Sequence, residues 1–204
     1  MPPTATARAF ARADSDSQKC LLKAYDYGMI GTSLMTADEL LHLPDDGFRY
    51  ELVRGELRKM SPSGADHGDV AAIIVWSLLD HVRKNGLGKV YTADAGFRIG
   101  RNPDTVLAPD GAFVRAERAV KNEKFFEGPP DLAIEVVSPG DRYTAVEAKA
   151  DDWLHGGTRA VIVVDPARQR VRIHRAGETA DVTDAIAVDD IVPGWRLPLS
   201  EIFE

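Results

Sequence analysis

The pattern of apolar and polar positions is clearest in the second half of the chain. Residues 131–137 form an apolar run, residues 144–155 carry apolar side chains at helical spacing, and residues 160–164 form a second apolar run. Two glycines end the helical segment. Two apolar strands joined by a helix favour a parallel pair that is covered on both faces. The pattern therefore predicts a strand-helix-strand unit.

The segment that follows residue 35 predicts a short helix and a hairpin. Thr36 and Glu39 form a capping-box signature ahead of a leucine-rich turn. Residues 50–53 and 56–60 predict two strands on either side of an Arg-Gly pair.

The middle of the chain predicts one long helix and several short strands. Apolar side chains recur at helical spacing over residues 69–84. Short strands are expected at 89–91, 96–99 and 111–114, separated by polar turns, and a last strand is expected at 170–174. The alternation of helices and strands predicts a mixed α/β domain.

Length and composition predict one domain with an extension. The chain has 204 residues, of which 44% are hydrophobic, so it can bury one substantial core. Residues 1–34 lack sustained periodicity and predict a flexible extension, which leaves residues 35–204 as the domain. No apolar run reaches the ~20 residues that a membrane span requires. We therefore expect a soluble, cytoplasmic protein without membrane association.

Charge and cysteine content narrow the possible chemistry. The net charge of -7 argues against broad, nonspecific attraction to nucleic acid. It does not exclude a metal-dependent nuclease, which needs acids at its centre and bases only at its rim. The single cysteine, Cys20, provides neither a disulfide framework nor a cysteine zinc site.

One carboxylate stands inside the apolar run at 131–137. Glu135 shares a strand face with Ala133 and Val137 by the alternation of a strand. Burying it costs several kcal/mol unless a cation, a metal or hydrogen-bond donors compensate. A positive group is therefore expected beside Glu135. Alternatively, an edge strand exposes this acid, or an arginine pairs with it structurally.

A lysine lies on the helix that follows this strand. Val146, Ala150 and Trp153 share the apolar face of the predicted helix, and Lys149 lies at the border of that face. Its side chain can lean toward the end of the Glu135 strand. The alternative is a lysine whose stem covers apolar surface while its ammonium stays in water.

Three further residues have both a chemical and a structural interpretation. Asp110 follows a proline in a sequence that also suits an ordinary turn. Glu51 can supply a ligand or orient a water, or it can form a hairpin salt bridge with Arg54 or Arg58. His67 can touch a phosphate, although a loop histidine is more often a cap or a surface residue.

Basic residues alternate near the last predicted strand. Arg168, Arg170, Arg172 and His174 would project from a single face. Such a stripe can track a nucleic-acid backbone, or it can protect a charged edge strand from aggregation.

Several segments together resemble one known family in their order and spacing. They are residues 50–57 (Tyr-Glu-Leu-Val-Arg-Gly-Glu-Leu), Pro109-Asp110, residues 130–139, Lys149, Gly156 and residues 163–166. This arrangement resembles the Uma-type restriction endonuclease family (domain of unknown function 820). The resemblance covers about residues 35–203. Its most specific part is the Glu-Val-x-Ser-Pro sequence at 135–139 with a lysine on the following helix.

The resemblance implies membership of the PD-(D/E)XK nuclease superfamily, with a restriction-endonuclease-like core in which helices flank a central mixed β-sheet. It implies that Asp110 and Glu135 are the catalytic carboxylates that hold Mg²⁺, for which Mn²⁺ can substitute, together with the backbone carbonyl of Val136. Val137 stands where the superfamily usually has its lysine. In this family the lysine of the next helix takes that role, which implies a catalytic Lys149.

The implied activity is hydrolysis of DNA phosphodiester bonds by a metal-dependent endonuclease. Glu51 would act as a further catalytic residue. Because duplex cleavage needs two sites and a domain of this size carries one, we expect a homodimer. The alternative is a catalytically degenerate member of the fold that binds nucleic acid or a protein partner.

Overall fold

The computed structural model describes residues 34–60, 63–119 and 124–203. Residues 1–33 of the predicted N-terminal extension, which include Cys20, lie outside these residues. The helices are α1 (Ala37–Leu41), α2 (Ala65–Lys84) and α3 (Tyr143–His155). The strands are β1 (Arg49–Val53), β2 (Glu56–Met60), β3 (Gly88–Thr92), β4 (Phe97–Gly100), β5 (Thr105–Leu107), β6 (Gly111–Arg115), β7 (Phe126–Glu127), β8 (Leu132–Val136), β9 (Ala160–Asp165), β10 (Arg170–Arg175), β11 (Glu178–Val182), β12 (Ala185–Ala187) and β13 (Arg196–Pro198).

A six-stranded mixed sheet forms the centre of the fold. Its strand order is β11-β10-β9-β8-β6-β3, and β8 and β9 are its parallel pair. Helix α3 connects these two strands, which confirms the predicted strand-helix-strand unit. Every residue of β8 and β9 is buried, as expected for strands that are covered on both faces.

The two faces of β8 belong to two separate apolar clusters. Leu132, Ile134 and Val136 pack in the cluster that contains the buried face of α2. Ala133 and Val137 pack in the cluster that contains the buried face of α3. Since side chains alternate along a strand, Glu135 points to the α3 side. The helical layers on either side of the sheet therefore meet different residues of the same strand.

A second sheet of five strands, in the order β2-β1-β5-β4-β7, carries the predicted hairpin. The hairpin turn is confirmed at Arg54 and Gly55, whose φ angles of 51° and 81° are those that a type I′ turn requires. The capping box of Thr36 and Glu39 is also confirmed at the start of α1. This sheet positions Glu51, in the middle of β1.

The polar turn that the sequence predicted between the strands at 96–99 and 111–114 contains a further strand, β5, and the buried Asp104 before it. The Asp104 side chain is buried and accepts hydrogen bonds from the Arg98 guanidinium (2.8 and 2.9 Å) and the Ala37 N–H (2.8 Å). Its carbonyl accepts from the N–H of Gly55 at 2.7 Å. One aspartate thus connects α1, the hairpin turn and the β4-β5 pair.

Two other expectations need correction. Helix α2 begins at Ala65 rather than at residue 69, so His67 lies in its first turn and not in a preceding loop. Strand β10 is not an edge strand, because β11 pairs with it on the side away from β9. The polar, exposed sequence of β11 carries no apolar signal by which it could be predicted.

The described helices include none with both the length and the apolar character that a membrane span requires.

Replacement of Asp104 with alanine is expected to lower the free energy of unfolding by about 3 kcal/mol, since it leaves the largely buried Arg98 guanidinium and the Ala37 N–H without their acceptor. The measurement is urea unfolding followed by tryptophan fluorescence. Asp184→Ala is the matched control, because the exposed Asp184–Arg196 pair should contribute under about 1 kcal/mol. Equal losses for both variants would contradict the assigned role of Asp104.

Candidate active site

Glu51, Asp110, Glu135 and Lys149 line a single cleft of about 520 Å³. They come from β1, the residue before β6, β8 and α3, respectively. Residues that are far apart in the sequence are therefore brought to one place by the two sheets and one helix. Val136 and His67 line the same cleft.

The pairing of β6 with β8 places Asp110 and Glu135 side by side. Gly111 lies opposite Ile134 in this antiparallel pair, so the next step of the register sets Asp110 opposite Glu135. Gly111 is also a close-packing position, because a Cβ atom there would lie 2.7 Å from the Val75 side chain of α2. A glycine at 111 thus allows α2 to approach the strand just beyond Asp110.

Lys149 extends into the site rather than into solvent. Its ammonium lies 2.9 Å from Oε1 of Glu51 and 3.0 Å from Oε2 of Glu135, and it donates to the Ala108 carbonyl at 2.9 Å. The side chain is 16% exposed, which rules out the alternative of a solvated ammonium. Burial lowers the pKa of Lys149, but the charges of Glu135 and Glu51 outweigh burial and raise it. The side chain is therefore a cation at neutral pH.

Glu135 has two partners on the α3 side of its strand. Oε2 lies near Lys149, while Oε1 accepts a hydrogen bond of 2.7 Å from the Trp153 indole N–H. Burial raises the pKa of Glu135 to about 8; the charges of Asp110 and Glu51 add to this effect, while Lys149 opposes it. The expected positive group beside Glu135 is present, but the acid still carries a net desolvation cost.

Asp110 makes two hydrogen bonds through a single carboxylate oxygen. Its Oδ2 lies 3.1 Å from Nε2 of His67 and accepts from the Val136 N–H at 2.8 Å. Burial favours a higher pKa of this carboxyl, but the hydrogen bonds from His67 and Val136 outweigh it and leave the pKa below its usual range. Asp110 therefore remains ionised, and the simple turn interpretation does not account for its contacts.

Glu51 pairs with the helix lysine instead of a hairpin arginine. Its Oε1 accepts from the Ala108 N–H at 2.9 Å and contacts Lys149. Arg54, one of the two hairpin candidates, lies near Asp152 at 3.7 Å instead. Glu51 and Lys149 therefore both contact the backbone of Ala108, two residues before Asp110.

Two contacting residues were not assigned these roles from the sequence. His67 is buried and hydrogen-bonds Asp110, which raises the pKa of His67 although burial opposes the shift. Trp153 packs edge-on against Phe97 with its ring centroid 6.0 Å away, so its indole is fixed in place. The available signal was the position of Trp153 one helical turn after Lys149, on the apolar face that Lys149 borders.

The charge balance of the cluster suits a divalent cation. The three carboxyl groups of Glu51, Asp110 and Glu135 surround one ammonium. The acidic groups outnumber the basic groups even when a protonated His67 is counted with Lys149. Burial is the main cause of the high pKa of Glu135, and the neighbouring charges of Asp110 and Glu51 add to it. Hard oxygen donors of this kind match the preference of Mg²⁺, which retains several waters.

The side chains alone do not complete such a site. Across the part of the chain that the structure describes, no group of three or more His, Cys, Asp and Glu side chains is arranged to hold a metal ion. A backbone oxygen and water molecules would have to provide the remaining ligands.

Comparison with solved structures supports the assignment of the fold. Four solved chains match this protein. One of them is the crystal structure of a "putative nuclease belonging to DUF820" from Anabaena variabilis ATCC 29413, with a TM-score of 0.72 and 21% sequence identity over 83% of this chain and 97% of that chain. At this identity the similarity shows the fold, a mixed α/β restriction-endonuclease-like core, as the sequence predicted.

Comparison with curated protein sequences found no significant match. The model of the Uma2 family, which is described as "Putative restriction endonuclease", matches residues 37–200. This match covers most of the chain and includes Glu51, Asp110, Glu135 and Lys149. The protein therefore belongs to the Uma2 family.

Proposed function

We propose that this protein is a metal-dependent endonuclease that hydrolyses DNA phosphodiester bonds. The observation that carries the proposal is the contact of Lys149 with Glu135, beside Asp110, in one cleft of a restriction-endonuclease-like fold. The family and the solved relative support a nuclease function in general. DNA as the substrate and the dependence on metal are the proposed refinements.

The carboxylates of Asp110 and Glu135, with the Val136 carbonyl, would hold Mg²⁺, and Mn²⁺ would substitute for it. Such a cation supplies neutralisation of phosphate charge and a bound water of lowered pKa. Asp110 suits this role because its hydrogen bonds from His67 and Val136 keep it ionised and fix its orientation. Glu135 suits it because ionisation of this buried acid becomes favourable once positive charge is added.

Lys149 would act as a hydrogen-bond donor rather than as a base. A cationic ammonium has no lone pair with which to remove a proton from water. It can donate to an oxygen of the phosphate on which negative charge develops in the transition state. Glu51 would orient this lysine, since the two side chains are in contact and share the Ala108 backbone as a partner.

Asp110→Asn and Glu135→Gln are each expected to reduce metal-dependent cleavage by at least about a hundredfold. Both substitutions keep the shape of the side chain and remove its charge. In Glu135→Gln the single amide oxygen can still accept from one of the two donors, the Trp153 indole or the Lys149 ammonium, so the free energy of unfolding should fall by no more than about 2 kcal/mol. The measurement is cleavage of duplex and single-stranded DNA under titration with Mg²⁺ or Mn²⁺.

Asp151→Asn provides the control for this pair of variants. Asp151 lies on the exposed side of α3, so this variant should cleave at the wild-type rate. The proposal fails if either site variant cleaves as well as Asp151→Asn. Metal-independent DNA binding by a wild-type protein that never cleaves would favour the alternative of a catalytically degenerate binding module.

Lys149→Met is expected to abolish turnover while metal affinity is retained. The variant leaves the Glu51 and Glu135 carboxylates buried without their ammonium, so the metal-free protein should lose about 3 kcal/mol of stability or more. Because stabilisation by a ligand depends on its Kd, retained affinity means that Mn²⁺ should raise the Tm of the variant by about as much as it raises that of the wild type. Calorimetric titration with Mn²⁺ measures the affinity.

Lys84→Met is the control for Lys149→Met, because Lys84 is 71% exposed and pairs only with Asp80 in the described structure. It should show wild-type turnover and the wild-type response of Tm to Mn²⁺. A fully active Lys149→Met variant would remove Lys149 from the mechanism.

Two copies of the protein are expected to act together on duplex DNA. Each domain has one such cleft among its described residues, and a two-fold symmetric pair would present one site to each strand. Light scattering at micromolar concentration is expected to give the mass of a dimer. A monomeric mass would instead favour the nicking of one strand.

A further inference from the structure

The cleft combines an acidic floor with a basic mouth. The floor holds the three carboxylates that surround Lys149. On the side of the β1-β2 hairpin the mouth is lined by three cationic residues, Arg49, Arg58 and Lys59, while the exposed Asp141 lines another part of the cleft. In a chain with a net charge of -7, such a basic group is a local exception.

The register of the hairpin fixes two of these cations next to the site. Glu51 and Arg58 are direct cross-strand partners, so their side chains project from the same face. Arg49 precedes Glu51 by two residues and shares this face, about 6.6 Å along the strand. Because Glu51 contacts Lys149, both arginines stand beside the acids that we propose to be catalytic.

These cations are available to a ligand. Among the residues that the structure describes, Arg58 has no ion-pair partner. Arg49 is 51% exposed; its ion pair with Asp94 is long, at 3.8 Å, and its guanidinium also donates a long hydrogen bond of 3.3 Å to the Ala93 carbonyl. Such a pair contributes little and is easily exchanged for another anion. The Lys59 ammonium lies 3.0 Å from the centre of the Phe48 ring, which is itself exposed.

We infer that the β1-β2 hairpin binds the phosphate backbone of the nucleic acid beside the bond that is cleaved. This inference rests on the proposed function and adds the surface that holds the substrate. Arginine matches phosphate geometry with paired N–H donors. The two strands hold these arginines at fixed spacing, as recognition of a regular polyanion requires. Since the rest of the chain is acidic, DNA binding should depend strongly on these few cations.

The test compares Arg49→Gln, Arg58→Gln and the double variant with the wild type. The full chain is titrated into a fluorescein-labelled duplex of about 20 base pairs, with Ca²⁺ in place of Mg²⁺, and the Kd is measured by anisotropy over a series of salt concentrations. Arg83→Gln is the control, because Arg83 is exposed near the C-terminus of α2. That helix is about 30 Å long and its other end borders the cleft.

Each single variant should raise Kd about three- to tenfold at low salt and reduce the slope of log Kd against log salt by about 1. The double variant should show about twice the change in slope. In cleavage assays the loss should appear mainly as a higher KM. All variants should keep the wild-type Tm, since none of the substituted side chains is buried.

Other outcomes would overturn the inference in distinguishable ways. If the wild type binds or cleaves DNA and the hairpin variants match Arg83→Gln in Kd and salt slope, the substrate lies elsewhere and the proposed nuclease function stands. If the wild type neither binds nor cleaves duplex DNA, single-stranded DNA or RNA, the inference and the proposed function fail together.

Discussion

The arrangement of the site depends on the burial of one carboxylate, that of Glu135, in a sheet whose two faces are both covered. Glu135 cannot lie on the α3 side of β8 unless that helix presents groups that compensate its charge. Lys149 and Trp153, one turn apart on α3, provide the ammonium and the indole N–H. The contacts with Glu135 therefore add a polar constraint to the apolar packing of Val146, Ala150 and Trp153 that holds α3 against the sheet.

The same requirement links the two sheets. A buried ammonium needs more than one acceptor, so Lys149 contacts not only Glu135 but also Glu51 on β1 and the carbonyl of Ala108. The hairpin is thereby connected to the central unit through a charged contact rather than through apolar packing alone. Asp104 performs a comparable role at the other end of the β1-β5 pair, where it binds Arg98 and the start of α1.

The sequence predicted those parts of the structure that local patterns determine. The strand-helix-strand unit follows from long apolar periodicity, and the hairpin from its Arg-Gly turn. Five strands, β5, β7, β11, β12 and β13, were missed, because each is short or polar and is specified by its partner strand rather than by its own residues. The site was predictable to a similar extent. Glu135 stood out because an acid interrupts an apolar run, whereas the pairing of His67 with Asp110 joins residues 43 positions apart, which no local pattern specifies.

The two basic partners of the acids come from opposite helical layers: His67 from α2 and Lys149 from α3. The sheet lies between these layers, so the site is built from residues of both helices and of the sheet. It is consequently not a portable motif. A segment that spans residues 105–165 contains Asp110, Glu135 and Lys149, but it lacks Glu51 and His67, which contact Lys149 and Asp110, respectively. Transfer of this site to another protein would therefore require two helices and the sheet between them in the same relative positions, rather than one loop.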